Sequence, residues 1–472
     1  MTIWAALALA AGIALSTAAA ADENQDLDLI PGDARSAPAT EPAPVEPSTA
    51  GATRRIFLEN VLTGTEPRNN VLVAAPAPAP RWQERLLLDV RKSWRPGSDV
   101  QLTYSGRLNL RAEDGLDFPT HENVSNDLRE AYASWEPHER TFIDAGRINL
   151  KSGVALGFNP TDYFKTRAVV APLSADPSEL RDDRLGTLMV RAQQIWEGAS
   201  VTAAFAPAVS SRSPLYQSDT LPSFDPMFDR TNAVNRFLLK ASVAAGDLNP
   251  EVLLYRESNE TRLGLNVAQS IGQSTIVYGE WSGGRRTRLI DDALRFGRAT
   301  GTLPANSPNA PSPLAEDSHR RFQSELALGA SYTTATKVTF NLEFHFEQAA
   351  FTRTDWDRWF SVGQGSSGTS PIARELWFFR GYALDQQEPI SRSSLFLRAD
   401  WVDAFIPKLE LSGFVNTDLL DGSRLVQVAA DYYASGVWTV GGVGIASFGS
   451  RHSDFGSVSP GWSVLIKVSR YL

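Results

Sequence analysis

The feature that most constrains this chain is a strict two-residue alternation of apolar and polar side chains over long segments. Between residues 100 and 111, every even position holds an apolar residue or Gly, and every odd position holds a polar or charged one. Successive side chains of a strand point to opposite faces, so this segment has one apolar and one polar face. The pattern predicts a strand rather than a helix.

A second region shows the same pattern twice in succession. Apolar residues between Phe322 and Tyr332 alternate with polar ones, and the alternation resumes from Lys337 to Glu347. The short connection Thr333-Thr334-Ala335 lies between the two segments, so they predict a hairpin. One face of this hairpin carries aromatic and long aliphatic side chains, and the other carries charges.

Noisier segments of the same kind recur from residue 81 onward. They lie at residues 84–94, 127–136, 140–151, 184–197, 199–209, 235–246, 250–258, 261–270, 273–286, 374–383, 391–402, 408–418, 423–433, 437–448 and 461–472. Together with the three segments above they predict about 18 strands, each near the roughly 9 to 11 residues that a tilted strand needs to span a bilayer. Because barrels of this kind have even strand numbers, about 16 is the alternative. The segment 374–383 is the weakest, with a loop helix as its alternative.

The connections between these segments differ in length. Short ones include Arg95 to Ser98 and Pro137 to Glu139, whereas long polar ones run from Ser152 to Asp183, Ser210 to Val234, Thr287 to His319 and Arg451 to Pro460. Soluble sandwiches also alternate, but long strands with short turns on one rim and long loops on the other are typical of outer-membrane barrels. An open sheet edge is not viable in lipid. Residues 81–472 are therefore predicted to form an all-β, transmembrane antiparallel barrel.

The last segment supports export to an outer membrane. Trp462, Val464, Ile466, Val468 and Leu472 share one face, and Tyr471 is the penultimate residue. This resembles the C-terminal signal read by the barrel-assembly machinery, except that the chain ends in Leu rather than Phe. We expect this segment to close the barrel by pairing with residues 84–94.

The N-terminus has the pattern of a secretory signal. An unbroken apolar stretch from Ile3 to Leu15 is followed by Ala18 to Ala21 and then by Asp22-Glu23. Residues 1–21 are predicted to be a cleaved signal peptide, although no Lys or Arg precedes the apolar stretch. The alternative is a retained membrane anchor.

Residues 22–80 are rich in Ala, Pro, Glu and Thr, as in the stretch APATEPAPVEPSTA that begins at Ala37. Such sequence favours an extended backbone and cannot bury a core, so it predicts a disordered periplasmic linker. Within it, Ile56, Phe57, Leu58, Val61 and Leu62 cluster. They are interpreted as a partly apolar stretch of linker, with a docking motif or a pore plug as alternatives. The linker's candidate partners are peptidoglycan and a periplasmic protein.

Composition excludes several classes of function. The chain has no Cys, which excludes disulfides, thiolate metal sites, a Cys nucleophile and a lipid-anchored N-terminus. The net charge of -9 argues against nucleic acid as a partner.

Among the five His, His345 lies between Glu343 and Glu347 on one strand face, and this trio is the candidate for a divalent metal site. Alternate residues of one strand lie about 6 to 7 Å apart, which makes a poor chelate. His319 and His452 lie in loops, without spacing to partners. We therefore expect no metal, no cofactor and no catalytic site.

A family resemblance is carried by LREAYASWEP from Leu128 and by RTFIDAGRINLKSGVALGFNPTDYF from Arg140 to Phe164. A strand ending in Gly-Arg that runs into a Gly-rich loop with Asn-Pro resembles porin-like outer-membrane proteins, including the alginate-export type. The resemblance implies that Arg147 faces the lumen and that Asn159 and Pro160 shape a loop narrowing the pore. Phe164, Lys165 and Arg167 complete the candidates for this constriction.

The polar faces of the strands predict two charged walls. The basic candidates are Arg85, Arg91, Arg107, Arg111 and Arg147, and the acidic ones are Glu325, Glu343 and Glu347. Facing walls of opposite charge would set a transverse field that favours polar solutes. A lumen with both charges differs from the strongly basic lumen that an exporter of polyanions needs. The alternative interpretation of each charged residue is that it lies on a solvated wall and has no role in selectivity.

The predicted function is an outer-membrane porin or channel for passive diffusion or export of hydrophilic solutes or a polymer. Its expected partners are the outer-membrane lipids and lipopolysaccharide, besides the assembly machinery. The alternative is a plugged barrel with a binding or structural role.

Overall fold

The computed structural model describes residues 54–68, 71–75, 79–114, 123–170, 172–209, 225–246, 248–305, 314, 317 and 319–472. Within them lie eighteen strands: β1 Arg54–Glu66, β2 Trp82–Trp94, β3 Val100–Glu113, β4 Val124–His138, β5 Thr141–Ile148, β6 Thr187–Trp196, β7 Ala199–Ala206, β8 Arg236–Val243, β9 Glu251–Glu257, β10 Glu260–Ile271, β11 Thr275–Arg286, β12 Arg321–Thr333, β13 Val338–Glu347, β14 Ser393–Trp401, β15 Leu409–Asp418, β16 Arg424–Tyr432, β17 Trp438–Phe448 and β18 Trp462–Tyr471. The helices of these residues are α1 Pro177–Asp182, α2 Phe228–Thr231, α3 Leu289–Ala299, α4 Arg353–Gly363 and α5 Pro371–Gln386. None of them is long and apolar enough to cross a membrane.

The strands close into a ring. Each strand from β2 to β18 pairs antiparallel with its neighbours along the chain, and β1 pairs with both β2 and β18. In register, Val61 of β1 lies between Arg85 of β2 and Lys467 of β18. Closure leaves no strand edge with unpaired backbone groups, which is the condition for a sheet to stand in lipid. The predicted fold class, an all-β transmembrane barrel of about 18 strands, is confirmed.

The alternation of the sequence sorts side chains between the outer wall and the lumen. Leu328, Phe340 and Leu342 are about half exposed on the outer wall, whereas Glu325 and Glu343 of the same hairpin are buried inside. A soluble protein shows the reverse arrangement, with its large apolar side chains inside. The outer wall is therefore built to face lipid.

Aromatic side chains ring the outer wall at two heights. One girdle contains Trp94, Trp135, Trp196, Tyr332, Tyr432 and Trp438, and the other contains Trp82, Phe205, Phe237, Phe322, Phe448 and Trp462, all of them exposed. Trp82 and Trp94 are the two ends of β2. Twelve residue steps of about 3.3 Å on a strand tilted by about 40° span ~30 Å, which is the height of a bilayer's apolar layer.

The two rims of the barrel differ as expected. The long-loop rim carries the connections 67–81, 149–186, 207–235, 287–320, 348–392 and 449–461. The short-turn rim carries connections such as 139–140, 197–198 and 334–337. β1 begins and β18 ends at the short-turn rim.

The structure corrects the expected start of the barrel. Arg54–Glu66 lies within residues 22–80, which the composition assigned to a disordered linker, yet it is a barrel strand. The expected pairing of the last strand with residues 84–94 is wrong, because β1 lies between β18 and β2. The strand was missed because Phe57 and Val61 place apolar groups on its inner face, which breaks the alternation. The signal peptide and residues 22–53 lie outside the described residues.

The structure also corrects the segment 374–383, which belongs to α5. Ser370 caps this helix through its hydroxyl and Pro371 begins it, a combination that favours a helix start. Its buried residues, including Leu376, Phe379 and Ala383, recur at helical spacing. One predicted strand is thus lost and β1 is gained, which leaves the number at eighteen.

Candidate functional site: a charged lumen with an inward loop

The connection between β5 and β6, residues 149–186, folds into the lumen and is called the inward loop. Asn159, Pro160, Phe164 and Lys165, four of the predicted constriction residues, are buried inside the barrel. Tyr163 stacks on Tyr255 of β9 with ring centroids 4.4 Å apart. The fifth candidate, Arg167, is half-buried and lies beside Asp385 of α5.

Two wall glutamates hold the backbone of the inward loop. Glu280 of β11 accepts hydrogen bonds from the backbone N–H groups of Val154 and Ala155, the latter at 2.5 Å. Glu343 of β13 accepts from the backbone N–H groups of Leu156 at 2.6 Å and Gly157 at 2.8 Å. Four consecutive N–H groups of the loop thus meet two carboxylates, and charge-assisted bonds of this kind are among the strongest in proteins.

A glycine makes this close approach feasible. Gly153 has a φ of +91°, and a Cβ atom placed there would lie 2.5 Å from a carboxylate oxygen of Glu280. Any other residue would be strained in its backbone and would push the carboxylate away. The Gly-rich character of the loop therefore serves its contact with the wall.

A second group of ion pairs fixes the far part of the loop. The carboxylate of Asp162 is fully buried and lies 2.5 Å from Arg184 and 3.4 Å from Arg181. Burial by itself raises the pKa of Asp162, but the two guanidinium groups outweigh it, so the pKa lies below its usual value. Lys165 pairs with Glu388 at 3.3 Å.

The acidic wall is covered. Glu325, Glu343 and Glu347 are at most 2% exposed. Arg286 lies 2.5 Å from both Glu325 and Glu347. Oxygens of Glu325, Glu347 and Glu388 lie within 4.8 Å of one another, and the cations that pair with them are Arg286, Lys165 and Arg262. His345 bonds Glu343 at 2.7 Å rather than pointing to Glu347, so the trio of strand β13 does not converge.

The basic wall lies across the barrel on β2, β3 and β4. β3 and β12 are nine strands apart in a ring of eighteen, so the two walls are on opposite sides. Arg107 pairs with Asp89 at 3.1 Å and with Asp183 at 2.8 Å. Arg91 keeps 51% of its side chain exposed and Arg111 keeps 32%, whereas Arg85 is buried. The accessible charges among the predicted wall residues are therefore arginines.

Arg147 has a different place from the other predicted arginines. It is 2% exposed, donates to the carbonyl oxygen of Gly186 at 2.8 Å, and lies over the ring of Phe228. It also donates to the carbonyl oxygen of Pro226. Arg147 therefore ties two long-loop connections together instead of facing open lumen.

Several residues of the site were missed from sequence, and Glu280 and Arg129 show why. Glu280 occupies an inner position of β11, between Tyr278 and Ser282 on the same face. The alternation predicts that its side chain points inward, but it does not predict the contact with a distant loop. Arg129 lies in a bulge of β4 and pairs with Asp183 at 2.9 Å. A bulge shifts the alternation by one residue, which hides the direction of the side chain.

The long-loop rim carries a second packed unit, called the cap, made of α3, α4, α5 and the residues beside them. Trp356, Trp359, Phe360 and Phe379 form its buried apolar centre. Arg380 lies over three Trp rings and pairs with Asp454 of the β17–β18 connection at 2.6 Å. The backbone N–H of Arg167 donates to the carbonyl oxygen of Asp385 at 2.6 Å, which joins the cap to the inward loop.

No family model and no curated protein matches the chain. Among solved structures, it is similar to OccK11 (OpdR) of Pseudomonas aeruginosa, with 13% identity over 89% of this chain and 96% of that chain, and a TM-score of 0.46. It is also similar to a mutant of the Rhodopseudomonas blastica porin, with 9% identity over 89% of this chain and 100% of that chain, and a TM-score of 0.38. A likeness of this degree concerns barrel architecture and carries no information on substrate.

Proposed function

We propose that the chain is an outer-membrane channel for passive diffusion of small hydrophilic solutes. The observation that carries the proposal is a closed barrel with an apolar outer wall whose charged lumen is narrowed by its own inward loop. By the usual orientation of such barrels, the long-loop rim faces the exterior and the short-turn rim faces the periplasm. Both ends of the barrel domain then lie on the periplasmic side.

The accessible charges support a preference for anions. The inward loop and Arg286 cover the glutamates of the acidic wall, whereas Arg91 and Arg111 remain reachable from the lumen. A solute passing the basic wall meets guanidinium groups, and charged walls set ion selectivity at short range. Both arginines have a partial carboxylate partner, Glu130 at 3.8 Å from Arg91 and Glu113 at 3.6 Å from Arg111, which weakens this preference.

The test is single-channel conductance of the refolded mature protein in a planar bilayer under a salt gradient. We expect a stable ohmic conductance and a reversal potential of the sign given by anion preference. The double variant Arg91→Glu, Arg111→Glu should shift the reversal potential toward cations. The charge-preserving variant Arg91→Lys, Arg111→Lys is the matched control and should keep the sign. A cation-selective wild type would contradict the assignment of the basic wall.

The cap favours a second candidate, a plugged barrel with a binding or structural role. Its buried aromatic centre and the ion pair Arg380–Asp454 show a unit that is packed, not a set of separate loops. In this candidate, the cap or the N-terminal segment that joins β1 at the short-turn rim binds a partner. A folded barrel without conductance would favour it over the channel.

A further inference from the structure

One row of the outer wall, at the long-loop rim, brings two exposed arginines close together between aromatic residues of the girdle. Strand register aligns Phe205, Phe237, Arg256 and Thr261 across β7 to β10. Arg262 pairs with Gly284 and Arg285 with Phe322, so Arg285 continues the row on β11. The row is called the arginine row. It begins and ends with exposed Phe side chains and holds two cations between them.

Among the residues that the structure describes, the two guanidinium groups have few partners. Both residues are exposed. Each makes one long hydrogen bond, of 3.5 Å, to a backbone carbonyl oxygen: Arg256 to that of Ser258, and Arg285 to that of Arg320. Within the described residues, neither lies at ion-pair distance from a carboxylate. This differs from the lumen, where Arg107, Arg286 and Arg398 all have carboxylate partners.

The position of the row defines the environment of these charges. One step below it on the same wall lie Leu239, Leu254 and Leu263, which are 37–50% exposed and belong to the apolar band. Cations at the edge of such a band meet the headgroup layer of the bilayer, where anionic lipids attract them. Arg256 and Arg285 are two strands apart, so about 10 Å separates their backbones.

A cavity of about 460 Å³ opens beside Arg256, with Phe205, Val234, Asn235 and Phe237 in its lining. Its lining combines apolar rings with polar groups, which suits an amphipathic ligand. The connection between β9 and β10 is only residues 258–259, so this connection adds little height to the rim.

We infer that the arginine row binds the phosphorylated headgroup of an outer-leaflet glycolipid, lipopolysaccharide, with its acyl chains along the apolar band. Guanidinium groups bind phosphate through paired charge-assisted hydrogen bonds. The two arginines supply two such contacts, and the cavity accommodates the adjoining part of the headgroup. The inference rests on the proposed outer-membrane location, with the long-loop rim in the outer leaflet, but it does not require conduction.

The test uses the refolded mature protein in detergent, with phosphorylated lipid A as the probe and native mass spectrometry as the readout. The double variant Arg256→Gln, Arg285→Gln should bind lipid A at least ~10-fold more weakly, because each charge-assisted bond corresponds to about tenfold or more in an equilibrium constant. Arg424→Gln is the matched control. It removes an exposed arginine of the same girdle, which lies on β16 between Thr417 and Phe448 with no second arginine in its described row, and it should bind like the wild type.

Further arms identify the ligand. The variant Arg256→Lys, Arg285→Lys should retain part of the affinity, since it keeps the charge. Equal binding by the Gln double variant and the wild type would overturn the inference, as would equal binding of lipid A without phosphates. Competition by inorganic phosphate at the same concentration as lipid A would assign a free phosphate instead and also overturn it. The Gln double variant should conduct like the wild type. Failure of the lipid A inference can therefore be told apart from failure of the channel proposal.

Discussion

At the scale of single residues, two buried carboxylates decide the path of the inward loop. Glu280 and Glu343 accept the backbone N–H groups of residues 154–157, which would otherwise be left without partners inside the barrel. Buried N–H groups without acceptors are costly, so these glutamates and the loop require each other. The loop is held by its main chain, which explains why its side chains gave no signal of the contact.

The variant Glu280→Ala tests this dependence. It removes the acceptor of at least two backbone N–H groups, each bond worth about 1.5–3 kcal/mol, so docking of the loop should weaken by about 3 kcal/mol or more. We expect a larger and noisier open-state current in planar bilayers. The matched control is Asp144→Ala, because Asp144 is equally buried but pairs only with Arg191 of the wall, at 2.6 Å. Identical current noise in the two variants would contradict the role of Glu280.

The ion pairs of Asp162 predict how the loop responds to acid. Its pKa is lowered in the folded protein, so its stabilising contribution is complete above the unfolded value of about 4 and is lost as the pH falls through the lower folded value. The part of the current noise that depends on Asp162 should therefore stay constant from neutral pH to about pH 5 and rise only below about pH 4.

The variant Asp162→Asn isolates that contribution. It leaves Arg181 and Arg184 without their carboxylate, so raised noise should already be present at neutral pH, and the additional rise on acidification should be smaller. An acid response identical to that of the wild type would assign the effect to other carboxylates of the lumen.

At the scale of elements, β1 closes the barrel although it comes from a segment that reads as linker. Deleting residues 54–66 should abolish the heat-modifiable mobility of the folded barrel in SDS gels, because β2 and β18 each lose their partner. Deleting residues 22–53 is the control and should leave both the mobility and the conductance unchanged. A folded barrel after the first deletion would mean that β18 pairs directly with β2, as the sequence suggested.

At the scale of the whole molecule, most of the cap can be removed without interrupting a strand of the barrel wall. Phe346 of β13 and Ser393 of β14 are register partners, so the intervening connection begins and ends at neighbouring positions. Replacing residues 352–386 by a short Gly-Ser linker should therefore preserve the folded barrel while removing α4 and α5. We expect a higher conductance if the cap restricts the outer mouth. Unchanged conductance with an intact barrel would show that the inward loop alone sets the restriction.

Much of the fold was predictable because alternate residues of a barrel strand face lipid and lumen, and these two environments require apolar and polar side chains respectively. The hairpin from Arg321 to Glu347 was placed correctly, and so was the asymmetry of the rims. The errors occurred where another requirement overrides alternation: β1 carries apolar groups on both faces, Arg129 lies in a bulge, and the helix α5 has a stretch that also reads as a strand.

By itself, the sequence determined the barrel, the outward face of each regular strand and the set of charges that point inward, because these depend on local periodicity alone. Only the tertiary structure decided which of those charges remain accessible. Glu343 and Arg91 are equally plausible wall residues in the sequence, yet one is buried under the inward loop and the other is half exposed. The difference arises from contacts between residues more than a hundred positions apart, such as Glu280 with Ala155, for which local patterns carry no information.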